Sequence, residues 1–365
     1  MGDSEESFIK GFFVILKTSK SWCFSMIAYK WIVPDTLAIS SMPSSGDIED
    51  IVSKFKCLVI LAESSKPLYD NKLVVESGLR VLHVPLPDFS APSVIELHEI
   101  VEFICSCNKP VLVHYSSGKV RSGVVAVAYL MASQGIAYGE ALSMARGVDP
   151  GFVETSSQPR VLKLYERLLG ATSKKLLSKT IEIGERYRFG RGVGHASKVL
   201  ELSIELVLEL ERLGILGISL DTERALYVAS ILHDIGVAVD PGNHKEHSYR
   251  LILGHREELN SSCNCNVAEK AAVIARLHGK SYPVPLEMNV EDRAAIGIIR
   301  VADGLDHTLT QSIKHVEVVK SDKGLVIGAY CGNNKHLCKI NIDRANAKKT
   351  ILEEALGTEI SIVMM

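Results

Sequence analysis

Leu232-His233-Asp234-Ile235-Gly236 ends an apolar helical run, and its reading decides how the rest of the chain folds. A His directly followed by an Asp puts a neutral nitrogen ligand and an anionic oxygen ligand side by side in a mostly dry interior. Burying both without partners would be unfavourable by several kcal/mol. A bound divalent cation is the natural partner. More ligand types flank the doublet: His195 upstream, then His244, His247, His278 and Asp303 downstream. All fall in or beside segments that read as helices, so a bundle can aim them at one point.

Apolar residues spaced by threes and fours predict helices over residues 177–187, 195–213, 222–235, 247–253, 267–278 and 290–309. Together they make an irregular all-α bundle. The pattern breaks upstream at Gly170-Ala-Thr-Ser-Lys-Lys175, which places a domain boundary with a short linker near residue 172. Residues 313–365 read as a hairpin, a further strand, a helix over 347–356 and a last strand over 360–364. This small α+β cap shows no chemistry and suits packing or a homodimer contact. The expected division is therefore 1–172, 173–312 and 313–365.

The ordered ligand set resembles the HD superfamily of metal-dependent phosphohydrolases, whose signature is a distant His, the His-Asp doublet and a later Asp. Over residues 178–365 the resemblance narrows to the C-terminal portion of exopolyphosphatase and guanosine-pentaphosphate phosphatase proteins. It is carried by Arg186-Tyr187, His233-Asp234-Ile235-Gly236, His244-x-x-His247-Ser-Tyr-Arg-Leu-Ile252, Ala275-Arg-Leu-His278-Gly-Lys280 and Ile299-Arg-Val-Ala-Asp303-Gly-Leu-Asp306. The actin-like ATPase-fold domains of those phosphatases are absent, so their polyphosphate hydrolysis does not simply transfer.

The resemblance implies a first metal shell of His195, His233, Asp234 and Asp303. It implies a second ion at His244 and His278, with Asp234 bridging at the catalytic centre. Mixed His and Asp ligands suit one or two ions of Mn, Fe, Co, Ni or Zn better than Ca. The metal would acidify a water and neutralise phosphoryl charge. Lys280 and Arg300 are expected to contact substrate phosphate, or else to pair at a cavity rim. Any single His on an apolar helix is ordinarily a hydrogen-bonded core residue, so the argument rests on the whole set. His247 is expected behind the ligands or at substrate, and His255, His307 and His315 on the surface or in structural roles.

The N-terminal half alternates strand and helix: strand over 31–39, helix over 48–55, strand over 57–61, strand over 81–84, helix over 94–105 and strand over 110–113. That alternation predicts a parallel sheet flanked by helices. After the last strand comes His114-Tyr115-Ser116-Ser117-Gly118-Lys119-Val120-Arg121-Ser122-Gly123, leading into a helix. Strand, small-residue loop and helix N-terminus form an anion cradle of free backbone N–H groups, and Arg121 can clamp phosphate oxygens bidentately.

The loop resembles the signature of dual-specificity, protein-tyrosine-phosphatase-like enzymes, His-Cys-x5-Arg-Ser/Thr, over about residues 25–170. Pro87-Asp88 matches the general-acid loop and Arg146-x-x-x-Pro150 the stretch before the closing helices. Tyr115, however, stands where that family has its nucleophilic Cys. A phenol with a pKa of about 10 is not a thiolate, so the resemblance implies a pseudophosphatase in which Asp88 has no intermediate to serve. Two readings stay open: the cradle of Tyr115, Ser116, Ser117, Gly118, Lys119, Val120 and Arg121 binds a phosphorylated ligand, or Tyr115 plugs it.

Composition bounds the rest. A net charge of -2 excludes a global basic field for nucleic acid, and 47% hydrophobic against 23% charged residues describes a folded chain. The acidic start Met-Gly-Asp-Ser-Glu-Glu lacks the basic region of a secretion signal, which points to the cytoplasm. The apolar run 122–138 approaches membrane-span length but contains Ser133 and Gln134, so a buried helix is expected. The eight Cys read as free thiols, with a Cys331–Cys338 disulfide left open.

The expectation is thus an α/β phosphatase-like domain followed by an all-α HD-type helical domain with a small α+β tail. It would be a metal-dependent phosphohydrolase acting on a small phosphorylated molecule such as a nucleotide or polyphosphate, with the pseudophosphatase as regulator or phosphate-binding module. Two alternatives stay open: a phosphodiesterase for cyclic or linear dinucleotides, and a non-catalytic sensor reading a phosphorylated signal at Arg121.

Overall fold

The computed structural model describes residues 27–63, 74, 76–86, 91–115 and 120–365 of the chain. Residues 1–26, Pro87 and Asp88, and Ser116, Ser117, Gly118 and Lys119 lie outside the described residues, as does the Val120 side chain.

Where one strand is predicted over 31–39 there are two, β1 (Tyr29–Val33) and β2 (Leu37–Ser40), joined as an antiparallel hairpin. Pro34 lacks an N–H and Asp35 sits at φ 54°, so the chain must turn there. The sheet is consequently mixed. Its order is β1-β2-β5-β3-β4, with β3 (Cys57–Ile60), β4 (Arg80–His83) and β5 (Val111–His114) parallel to β2. β2, β3 and β5 are buried at every position, as continuous apolar strands covered on both faces must be. Leu58, Ile60 and Leu112 face α1 (Ile48–Lys54), whereas Val59, Val111 and Val113 face α2 (Val94–Ser106) and α3 (Val120–Gln134). The run 122–138 is this buried α3, ending at Gln134. No helix among the described residues is long and apolar enough to cross a membrane.

Helices α4 (Tyr138–Val148) and α5 (Ser157–Thr172) close this half. The expected linker is one residue. Ser173, at φ 64°, ends α5, and its hydroxyl accepts from Leu176 N to start α6 (Lys174–Arg186). The bundle continues with α7 (Val193–Arg212), α8 (Leu220–Leu232), a 3-10 turn (Ile235–Ala238), α9 (His244–Gly254), α10 (Arg256–Cys263), α11 (Ala268–Leu277) and α12 (Val290–Leu305). Sequence reasoning missed α10, which buries only Leu259 and Ser262 and so shows little periodicity.

The tail is β6 (Ile313–Ser321), β7 (Gly324–Cys331), α13 (Lys335–Asn346), α14 (Thr350–Leu356) and β8 (Ile360–Met364), its strands ordered β6-β7-β8. The further strand expected here is the helix α13. Cys338-Lys-Ile340-Asn-Ile342 alternates like a strand, but Cys338, Asn341, Ile342 and Ala345 are buried at helical spacing, and Asn334 caps the N-terminus through Leu337 N. The cysteines also differ from expectation: Cys57–Cys107, Cys263–Cys265 and Cys331–Cys338 are disulfides, with Cys105 free among the described residues.

One apolar core runs through both halves, and polar pairs rivet the seam. Arg160 meets Glu205 at 2.9 Å, and Arg167 holds both Glu211 and Glu223. His98 on α2 bridges the Tyr165 hydroxyl (3.0 Å) and the Ser178 hydroxyl (2.9 Å). Burial pushes its imidazole down to about 4. The unfolded chain therefore takes up a proton near the ordinary His value while the folded chain refuses it. Stability is full above that value and falls as pH drops towards 4, by about 3 kcal/mol from this one group. Thermal melts from pH 7 to 4.5 should show the loss, and His98→Gln should remove that share of it. An identical pH profile in the variant would contradict the assignment.

Candidate metal centre

α8 ends at Leu232, and His233 keeps helical backbone angles while Asp234 turns the chain into the 3-10 segment. The doublet thereby points its two side chains into the bundle interior, where α7 supplies His195, α9 supplies His244, the end of α11 supplies His278 and α12 supplies Asp303. Asp234 is central. Its Oδ2 lies 3.7 Å from His195 Nε2 and 3.5 Å from His233 Nε2. Its Oδ1 lies 3.3 Å from His244 Nε2 and 3.7 Å from His278 Nε2. His195, His233 and Asp234 form one group of potential ligand atoms within 4.8 Å of one another, and Asp234, His244 and His278 form a second. Asp303 Oδ1 stands 3.5 Å from His195 Nε2, beside the first group.

The outward ring nitrogens fix this convergence. His233 Nδ1 donates to Ser230 O (3.0 Å), His244 Nδ1 to Pro241 O (2.9 Å) and His278 Nδ1 to Ala275 O (2.6 Å). A carbonyl can only accept, so these bonds place the proton on Nδ1 and turn a lone pair on Nε2 inward. His195 Nδ1 faces the Asp306 carboxylate at 2.9 Å. Asp306 sits one turn after Asp303 on the same helix face, a spacing that could have revealed it. Asp234 Oδ1 is buried and accepts no hydrogen bond among the described residues.

Two glycines allow the geometry. Gly190, at φ +71°, passes so close that a Cβ there would lie 1.8 Å from Asp234 O, and a Cβ on Gly236 would lie 2.1 Å from His244 O. Electrostatics follow from the packing. Burial opposes charge on His195, but hydrogen bonds to Asp303 and Asp306 lift its imidazole to about 9. Burial and the neighbouring His233 push His278 down to about 3. Against burial, Lys348 and His195 hold Asp303 well below the usual carboxylate range, and His233 and His278 lower Asp234.

A cavity of about 270 Å³ opens onto the centre. Lys280 lines it, but Arg300 does not. The Arg300 guanidinium is buried and donates to Leu277 O (2.8 Å), Gly279 O (3.0 Å) and Tyr282 O (2.7 Å). Three carbonyls saturate it, so it pins the loop behind His278 and leaves phosphate to others. His247 is half-buried and outside the cavity lining, while His307, expected elsewhere, lines it. His255 bonds the Tyr187 hydroxyl and His315 stacks on Tyr330, both structural as expected. Sequence reasoning missed the cations Arg191, Lys245, Arg344 and Lys348 in the wall. Arg191 Nε meets Asp234 Oδ2 at 2.7 Å, and Lys348 Nζ meets Asp303 Oδ2.

In the other half, Tyr115 and Arg121 come together at the end of β5. The Arg121 guanidinium lies 4.1 Å from the Tyr115 ring centroid and donates to Leu86 O at 3.0 Å, and it is 1% exposed. Residues 44–135 match the family described as a polymorphic toxin system, DSP-PTPase phosphatase. The N-terminal region resembles the dual-specificity phosphatases. The chain is 29% identical over 123 residues to the dual specificity protein phosphatase Mpk3 of Drosophila melanogaster, covering 33% of this chain and 29% of that protein. It is 33% identical over 103 residues to the dual specificity protein phosphatase OPG106 of Vaccinia virus, covering 27% of this chain and 57% of that protein. The chain thus spans less than two thirds of either dual-specificity phosphatase. The crystal structure of Tk-PTP in the active form shares 38% identity at a TM-score of 0.36, covering 40% of this chain and 98% of that one.

Proposed function

We propose that the chain is a metal-dependent phosphohydrolase of the HD type, acting on a small phosphorylated molecule, with its chemistry in the helical half. The observation that carries this reading is Asp234: a buried carboxylate with an unsatisfied oxygen, set between two pairs of imidazoles whose other nitrogens are already committed to protein acceptors. Arg191 and Lys348 each meet one carboxylate, but Asp234 Oδ1 and the His244 and His278 nitrogens facing it have no such partner among the described residues, and a cation between them would supply it.

Those residues fit the group. His195, His233, Asp234 and Asp303 would hold one divalent ion, and Asp234, His244 and His278 a second; Mn, Fe, Co, Ni and Zn all suit the donor set. Bound there, such an ion supplies water acidified towards neutral pH and charge stabilisation at phosphorus. The chain's own side chains do the rest. Asp306 holds the His195 ring in orientation, Arg300 fixes the loop of His278, and Arg191, Lys245 and Lys280 line the approach that an anionic phosphate would take.

The phosphatase-like half acts as support in this reading. Tyr115 occupies the position of the nucleophilic Cys, so a phosphocysteine cannot form. Arg121, the residue that would clamp a phosphate, is buried against the Tyr115 ring, which favours the plugged cradle over the sensor. The diesterase remains the rival within the same site.

Purified chain loaded with Mn should release phosphate from nucleoside triphosphates or short polyphosphates, and chelation should stop it. Faster cleavage of dinucleotide diesters than of these substrates would replace the reading by the diesterase. Silence across the panel in a folded, Mn-loaded sample would end both.

A further inference from the structure

The tail of residues 313–365, read from sequence as packing or a homodimer contact, reaches into the cavity. It docks on α12 through Gly297 and Gly304, seven residues apart on one face. A Cβ at Gly304 would lie 2.7 Å from Ala345 Cα, and a Cβ at Gly297 would lie 2.6 Å from Leu352 Cα. Gly304 directly follows Asp303, so the tail is fixed against the helix that carries the candidate ligand.

This docking delivers Arg344 and Lys348, four residues apart, to the cavity wall. Lys348 is buried with its ammonium on Asp303. Arg344 is different: its Nε is buried without a hydrogen-bond partner, and no carboxylate pairs with its guanidinium among the described residues. Leaving such a donor unmade is unfavourable, and a guanidinium is matched bidentately by a phosphate. Lys245 and Lys280, in the same wall, likewise have no carboxylate partner among the described residues. Three cations therefore face the cavity beyond the two that Asp234 and Asp303 neutralise.

We propose that Arg344 forms a second anion subsite that takes a distal phosphoryl group of a linear chain of two or more phosphates. The proximal phosphate of that chain lies at the His/Asp centre. The proposal rests on the metal-centre reading for the proximal site only, and it makes Arg344 a binding residue that selects oligophosphates over monophosphates.

The test is calorimetric titration of inorganic triphosphate and inorganic phosphate into the full chain, with and without Mn, for wild type, Arg344→Gln and Arg344→Lys. Wild type should bind triphosphate at least tenfold more tightly than phosphate. Arg344→Gln should weaken triphosphate about tenfold or more while leaving phosphate and Mn binding unchanged, and Arg344→Lys should recover part of the loss. Triphosphate binding by Arg344→Gln equal to wild type, with Mn still bound, overturns the subsite and leaves the metal centre standing. Triphosphate binding that depends on Arg344 in a chain that takes up no Mn keeps the subsite and removes the metal centre. A parallel titration with a nucleoside triphosphate separates the two sources of the phosphate chain. Affinity equal to that of inorganic triphosphate assigns recognition to the phosphates alone, and tighter binding adds a nucleoside contact.

Discussion

Asp234→Ala is expected to abolish metal retention and to lower phosphate release by roughly a thousandfold or more, as loss of charge stabilisation at the reacting centre requires. Among the described residues, Asp234 is the side chain shared by both candidate ligand groups. Its Oδ2 faces His195 and His233 and its Oδ1 faces His244 and His278, so one substitution opens both sets. The fold should survive, because α7, α8, α11 and α12 pack through apolar residues such as Leu200, Leu226, Ala272 and Ile298 that the change does not touch. The measurements are metal content per chain after dialysis, turnover of an oligophosphate, and a thermal melt as the control on folding. A folded variant that keeps its metal and its rate would remove Asp234 from the centre and the reading with it.

The six candidate ligands were legible because they form an ordered set of His and Asp in or beside helical segments, with the His233-Asp234 doublet at its centre. His195, His233, Asp234, His244, His278 and Asp303 need only the helices to pack for the donors to converge. The cations were not legible for the converse reason. Arg344 and Lys348 depend on where a separate tail docks, and that depends on the Gly297 and Gly304 contacts with Leu352 and Ala345, which no local pattern encodes. Arg300 misled through the same ignorance. Three residues from Asp303, it is consumed by the carbonyls of the loop after α11 and does not line the cavity. In the N-terminal half, the continuous apolar strands announced a covered sheet. The Pro34-Asp35 turn was overlooked because apolar residues on both sides of it read as one strand.

Gly236 shows how tightly the motif binds local geometry to the second ligand group, and it gives the other large expected effect. An added Cβ would stand 2.1 Å from His244 O and 2.4 Å from Ser248 N, both backbone atoms of the first turns of α9. Backbone cannot rotate away as a side-chain tip can, so Gly236→Ala must push the start of α9 outward. The same shift stretches the bond from Gly236 N to the Ser248 hydroxyl, now 2.9 Å, and carries His244 away from Asp234 Oδ1, now 3.3 Å. Overpacking of this kind destabilises by about 1–3 kcal/mol. His195, His233 and Asp303 stand on other elements and keep their places. The variant should therefore hold one ion per chain where two are expected of the wild type, and a displacement of about 1 Å at a positioned group should lower turnover about a hundredfold. Metal stoichiometry is the discriminating readout. Two ions retained at the wild-type rate would mean that His244 is not held by the approach of α9 to Gly236, whereas loss of both would mean that the two groups are a single indivisible site.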